Sequence, residues 1–254
     1  MKVRILGSGT STGVPRIGND WGACDPTNPR NRRMRASILV ETKTTRILVD
    51  TGPDMREQLL AADVSTLDAV IWTHDHADHT HGIDDLRQVF HAMGRPVRGL
   101  ARPDLMATLK RRFSYVFHGW EDYPPTVSIE ELPDSVVVGD ITVGVVDQPH
   151  GPFQSAGLRF ESIAGSIGYA TDLSAMTPDM AKLYEGLDLW IVDALRRKPH
   201  PSHPDLKTAL GWIDMLRPRH AVLAHMDQSM DYATLLSELP PGVEPGYDGL
   251  ELHV

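Results

Sequence analysis

The stretch Thr73-His74-Asp75-His76-Ala77-Asp78-His79 decides how this chain is read. It follows an apolar, strand-like run, Leu67-Asp68-Ala69-Val70-Ile71-Trp72, and packs three imidazoles and a well-spaced carboxylate into six residues. Imidazole nitrogen and carboxylate oxygen are the donors that borderline divalent metals take, and no cysteine competes. A hydrophilic loop rich in His and Asp by chance would have no counterpart elsewhere. This one has several, because an apolar strand followed by a His or Asp recurs down the chain. Ile141–Asp147 precedes His150, Ser166–Thr171 precedes Asp172, Leu189–Val192 precedes Asp193, and Ala221–Ala224 precedes His225. Residues at strand ends are held by the sheet, so such a site exists before its metal arrives. In open α/β sheets, ligands gather outside the carboxyl ends of strands.

The rest of the chain fits that picture. At 254 residues, it can bury a core large enough for one α/β domain or for two halves that share a core. Hydrophobic residues make up 41% and charged residues 23%, an ordinary balance for a globular protein. The lone Cys24 excludes an internal disulfide. The N-terminus reads as a first strand, Val3–Leu6, and not as a signal peptide. No apolar run approaches membrane-spanning length, so a cytoplasmic location is expected and no membrane partner. A net charge of -9 argues against polymeric nucleic acid as the substrate. Further strands are expected at Ser37–Glu41, Arg46–Asp50, Ala69–Thr73, Val97–Leu100 and Gly157–Glu161. Helices are expected at Asp54–Ala62, Ile83–Ala92, Pro103–Phe113, Pro178–Tyr184, Asp205–Leu216 and Tyr232–Glu238.

The HxHxDH pattern resembles that of the metallo-β-lactamase superfamily of dinuclear metal hydrolases. The resemblance implies an α/β fold of the αββα sandwich type, filling residues 1–254 as one domain. Two mixed β-sheets would pack face to face, with helices on the outer faces. His74, His76, Asp78, His79, His150, Asp172 and His225 offer seven donors, too many for one tetrahedral zinc. The resemblance gives His74, His76 and His150 to one metal, Asp78, His79 and His225 to the other, and makes Asp172 the bridge. Two divalent ions per chain are expected, with zinc or manganese foremost and iron able to use the same donors. Two such ions roughly 3.5–4 Å apart ionise a bridging water near neutral pH and polarise a phosphoryl or carbonyl oxygen. A diiron oxygen-reducing site of this fold would carry Glu where His76 stands, so the resemblance implies hydrolysis. Asp50 is read as supporting a ligand from behind or as capping a strand end, Asp78 as also orienting the attacking water, and Asp193 as either catalytic or a buried hydrogen-bonding group.

Ile5-Leu6-Gly7-Ser8-Gly9-Thr10-Ser11-Thr12-Gly13-Val14-Pro15 is similar to the opening of the branch that contains tRNA 3′-processing endonucleases and small cyclic phosphodiesterases. Asp50-Thr51-Gly52-Pro53-Asp54 and His81-Gly82-Ile83-Asp84-Asp85-Leu86-Arg87 resemble the phosphodiesterases of phosphonate breakdown. His203 stands twenty-two residues before His225 (203 to 225), the spacing of a catalytic histidine in those enzymes, with His200 a weaker candidate. An imidazole suits protonation of a leaving alkoxide. The basic run Arg30–Arg35 reads either as a solvated loop or, through Arg32 and Arg33, as a phosphate clamp. The phosphonate-pathway enzymes carry a structural zinc on several cysteines near the place of Cys24 and on a histidine where Gln228 stands here, so no structural zinc is expected. The reading is therefore a phosphodiesterase that hydrolyses a small phosphodiester, such as a cyclic nucleotide or ribosyl cyclic phosphate. A tRNA 3′-end endonuclease, a thioesterase or lactonase, and a non-enzymatic carrier are the alternatives. The resemblance points to a homodimer.

Overall fold

In the computed structural model, which describes residues 1–254, fourteen strands form two seven-stranded sheets. The first half of the chain supplies β1 (Lys2–Gly7), β2 (Ser37–Glu41), β3 (Arg46–Val49), β4 (Ala69–Ile71), β5 (Val97–Ala101) and β6 (Val127–Glu131) to one sheet. The second sheet takes β7 (Ser135–Val138), β8 (Ile141–His150), β9 (Phe153–Ser162), β10 (Gly165–Ala170), β11 (Leu189–Asp193), β12 (His220–Ala224) and β13 (Val243–Pro245). The last strand, β14 (Glu251–His253), returns to the first sheet beside β1. Each half begins as an antiparallel meander and ends as a parallel run, β3 to β6 and β10 to β13. The parallel runs require six crossovers, and each contains at least one helix.

Period-two alternation explains why the sheets stack. Ile38, Val40, Ile47 and Val49 point into the core between the sheets, whereas Leu39 and Leu48 point outward to a helical layer. In β11, Leu189 and Ile191 face the central core and Trp190 and Val192 the opposite helices. Strands buried on both faces read as continuous apolar runs, which is why they stand out in the sequence. The helices of the first layer are α1 (Met55–Ala62), α2 (Ala77–Thr80), α3 (Leu86–Met93), α4 (Pro103–Arg112) and α5 (Ser114–His118); those of the second are α6 (Pro178–Leu183), α7 (Leu206–Leu216) and α8 (Tyr232–Glu238). Pro103 and Pro178 open their helices, where a missing N–H costs nothing. Asp205 and Asp231 cap α7 and α8 by accepting from Thr208 N and Thr234 N at 2.8 and 2.9 Å. The expected αββα sandwich is thus the observed one. No helix is long and apolar enough to cross a membrane.

The expected helix from Ile83 begins instead as a 3₁₀ turn, Ile83–Asp85, before α3. The strands not anticipated, β6, β7, β13 and β14, lie at or beside sheet edges and are short or polar on one face. Beneath the His-rich segment, residues 50–53 and 78–82 press backbone to backbone. Thr51 N donates to His79 O and Gly82 N to Thr51 O, both at 2.8 Å. A Cβ on Gly82 would lie 2.0 Å from Gly52 O. Gly82→Ala is therefore expected to destabilise the protein by about 1–3 kcal/mol in urea unfolding; an unchanged midpoint would contradict this account.

Candidate metal centre

β8 is antiparallel to β9 and β9 to β10, so β8 and β10 run the same way. The carboxyl ends of β8, β10, β11 and β12 consequently meet at one edge, and His150, Asp172, Asp193 and His225 stand there. The first sheet presents Asp50 after β3 and the whole His74–His79 segment after β4 at the same place. Three of these residues hold left-handed backbone: Asp50 at φ 65°, Asp172 at 55° and His225 at 56°. For non-glycine residues such conformations cost about 1–3 kcal/mol each and persist only where the surroundings impose them, typically at functional sites.

The seven expected donors converge. Nε2 of His74 lies 3.0 Å from Nδ1 of His76, which lies 3.4 Å from Nε2 of His150. Oδ1 of Asp172 is 3.8 Å from His74 Nε2 and 3.6 Å from His150 Nε2. Its other oxygen, Oδ2, faces the second group, 3.2 Å from His79 Nε2 and 3.5 Å from His225 Nε2. Asp78 Oδ2 completes that group at 3.2 Å from His79 Nε2 and 3.8 Å from His225 Nε2. Tetrahedral donors about 2.0–2.2 Å from a zinc-like ion stand roughly 3.3–3.6 Å apart, close to the observed spacings.

Tautomers and unpartnered atoms test whether cations fit. His74 Nδ1 donates to Thr73 Oγ1 (3.0 Å), His79 Nδ1 to Asp50 Oδ2 (2.7 Å) and His150 Nδ1 to the Ser202 carbonyl (3.0 Å). With those protons placed outward, the Nε2 lone pairs turn toward the centre. Nε2 of His79 and both ring nitrogens of His225 are buried without any aligned hydrogen-bond partner. Leaving such groups unsatisfied costs about 1–3 kcal/mol each. Burial opposes charge on His79, yet the carboxylates of Asp78, Asp172 and Asp50 outweigh it and hold the imidazole well above its ordinary value. Burial likewise works against the charged form of Asp172, and the surrounding imidazoles of His225, His79 and His74 overcome it and keep the carboxyl well below the usual range. An enclosed set of carboxylates that draws positive charge is what a divalent cation satisfies.

Behind the donors, Asp50 accepts from Thr73 N and Thr73 Oγ1, both at 2.8 Å, as well as from His79. If His79 binds a cation, Asp50→Asn should weaken metal affinity by roughly 10–100-fold, read by competition with a chelator; equal affinity would show that Asp50 merely caps its strand. Asp193, ambiguous in the sequence, has a partner: its Oδ2 accepts from His203 Nδ1 at 2.7 Å. His203 Nε2 then points inward, 3.8 Å from Asp172 Oδ1, with the side chain 11% exposed. His200 is held within its loop against Ser202, its ring 5.1 Å from that of His203.

The basic run, read as a solvated loop or as a phosphate clamp, does not offer Arg33 to a phosphate. Arg33 is buried, and its guanidinium donates to the carbonyls of Met230 (2.6 Å) and Asp227 (3.3 Å). Arg32 is exposed and lies over the Trp21 ring, 5.2 Å from its centroid. Arg30 sits between Tyr232 and Tyr247, and Arg35 pairs with Asp54 at 2.9 Å. Arg30 and Arg33 tie the N-terminal loop to the residues after β12, whereas Arg32 stays within that loop and Arg35 reaches the turn before α1. A basic run carries no signal for which guanidiniums will find carbonyls. Another contact absent from the sequence reading is Arg112, which donates to the Asp75 carbonyl at 2.9 Å and meets His81 Nε2 at 2.6 Å, so that α4 braces the His-rich segment.

Comparison with known proteins places this geometry. Residues 45–226 match the family model described as the Beta-lactamase superfamily domain. A curated relative from Porphyromonas gingivalis, named octanoyltransferase, is 34% identical over 258 residues. The match takes in 99% of this chain and 51% of that protein, so the chain spans about half the relative's length. Among solved structures, a new diphosphatase from the PhnP family superposes with a TM-score of 0.91 at 33% identity, over 100% of this chain and 96% of the other. Zn²⁺-bound PqqB from Methylobacterium extorquens (TM-score 0.79, 18% identity, 100% of both chains) shares the fold. So does the short form of human tRNase Z (TM-score 0.72, 17% identity, 100% and 99%).

Proposed function

The chain belongs to the β-lactamase superfamily; on that premise we propose that it is a metal-dependent hydrolase, a phosphodiesterase acting on a small substrate such as a cyclic nucleotide or a ribosyl cyclic phosphate. One observation carries the reading. Asp172 offers one oxygen to each of two donor groups, and an Asp193-backed His203 stands beside them. The 33% identical structure named a diphosphatase supports phosphoryl over carbonyl chemistry. The octanoyltransferase is about twice as long as this chain, so its named activity is not carried across. A net charge of -9 weighs against a tRNA substrate.

His74, His76, His150 and Oδ1 of Asp172 would hold one divalent ion; Asp78, His79, His225 and Oδ2 of Asp172 would hold the other. Bound there, such ions supply a water that ionises near neutral pH and neutralise charge on phosphoryl oxygens. The residues of the chain do the rest. Asp193 accepts from His203 Nδ1 and so orients the ring; when the imidazole is doubly protonated, its Nε2–H faces the departing oxygen and gives it that proton, leaving the neutral Nδ1–H imidazole. Asp78 also orients the attacking water, and the left-handed turns at Asp172 and His225 keep both donor groups in place.

Metal analysis of the purified chain should find about two divalent ions, with cleavage of bis(p-nitrophenyl) phosphate. A panel of 2′,3′-cyclic nucleotides, ribosyl cyclic phosphate, a nucleoside diphosphate and precursor tRNA then selects the substrate class. Metal binding without cleavage of any diester would overturn the reading.

A further inference from the structure

His76, His200 and His203 are partly exposed and adjoin one another ring to ring through His150, and one exposed apolar side chain stands against His76. Phe153 is 60% exposed, although a phenyl ring gains by leaving water. The β-ladder sets its position. His150 of β8 pairs directly with Phe153 of β9, and directly opposed residues of antiparallel strands project to the same face. His150 sends its imidazole into the centre, so Phe153 projects beside it. The two residues between them form a tight turn in which Gly151 has φ +58°, a conformation that favours glycine. A Cβ at Gly151 would lie 3.2 Å from Ser202 Cβ, and the Ser202 carbonyl accepts from His150. The turn that carries Phe153 is therefore docked on the loop that carries His203. The phenyl ring meets His76 edge to face, with centroids 5.5 Å apart, and the rest of it faces solvent.

We propose that Phe153 is a specificity-determining residue, an aromatic wall on which a planar heterocycle of the substrate stacks, so that the centre takes nucleoside phosphodiesters in preference to those of bare sugars. Every nucleobase has a π-face, and stacking on an aromatic side chain tolerates any base. The choice of nucleotides rests on the phosphodiesterase reading, but the wall can be tested apart from turnover. Calorimetric titration of the metal-loaded protein with adenosine 5′-monophosphate and with ribose 5-phosphate compares two ligands that share the ribose phosphate and carry a base or a hydroxyl at the anomeric carbon. The wild type should bind the nucleotide roughly 5- to 150-fold more tightly. Phe153→Ala should lose that preference while binding ribose 5-phosphate as before, and Phe153→Trp should retain it. A wild type without the preference, or a Phe153→Ala variant that keeps it, overturns the proposal. If the preference follows Phe153 while no diester is cleaved, the wall stands and the phosphodiesterase reading falls.

Discussion

With Asp172 replaced by asparagine, the chain is expected to bind fewer than one divalent ion in place of about two, and turnover should fall on the order of 10³-fold or more. The loss of a single electrostatic donor elsewhere costs about 10²–10³ in rate, and Asp172 serves two groups at once. Its Oδ1 faces His74 and His150, and its Oδ2 faces His79 and His225. Asparagine is the informative substitute because it keeps the side-chain shape and tolerates the left-handed backbone at φ 55°. What it removes is the charge and one of the two anionic oxygens. Metal should raise the thermal midpoint of the wild type, since a ligand that binds only the folded state stabilises it by mass action. The variant should show little difference between metal-loaded and chelated protein. Two ions retained, with turnover within tenfold of wild type, would show that Asp172 is not shared.

The sequence was most legible where geometry follows from strand ends. His74 and His225 could be picked out because β4 and β12 are short apolar runs whose ends are easy to see, and His150 because β8 shows a clear period-two alternation. The sheets then bring those termini together, as their parallel directions require. Contacts that depend on where a long side chain travels were not legible. Arg33 looked like a surface cation, yet its neighbours Met230 and Asp227 lie some two hundred residues away in the chain and supply carbonyls that no local pattern announces. The edge strands β6 and β14 were missed for a related reason: one polar face and few residues leave a weak period-two signal. Asp193 belonged to the strand-end pattern from the start, but only the 2.7 Å contact with His203 Nδ1 tells what it does.

That contact leads to the second large effect. His203→Ala should lower kcat by roughly 10²–10⁴-fold on a substrate with an alkoxide leaving group, while metal content stays at the wild-type level. A proton donor matters in proportion to the leaving group's need for one. On bis(p-nitrophenyl) phosphate, whose leaving phenolate departs without a proton, the same variant should lose far less. Asp193→Asn should follow the same pattern at smaller size, because it disturbs the orientation of the imidazole and not its presence. Geometry admits one rival role: Nε2 of His203 lies near enough to Asp172 and His225 to form a donor group with them. The two roles separate cleanly. A donor to a metal would, when deleted, lower the bound metal and slow both substrates alike. A proton donor leaves the metal in place and discriminates between the leaving groups, so equal losses on the two substrates would sink the acid role.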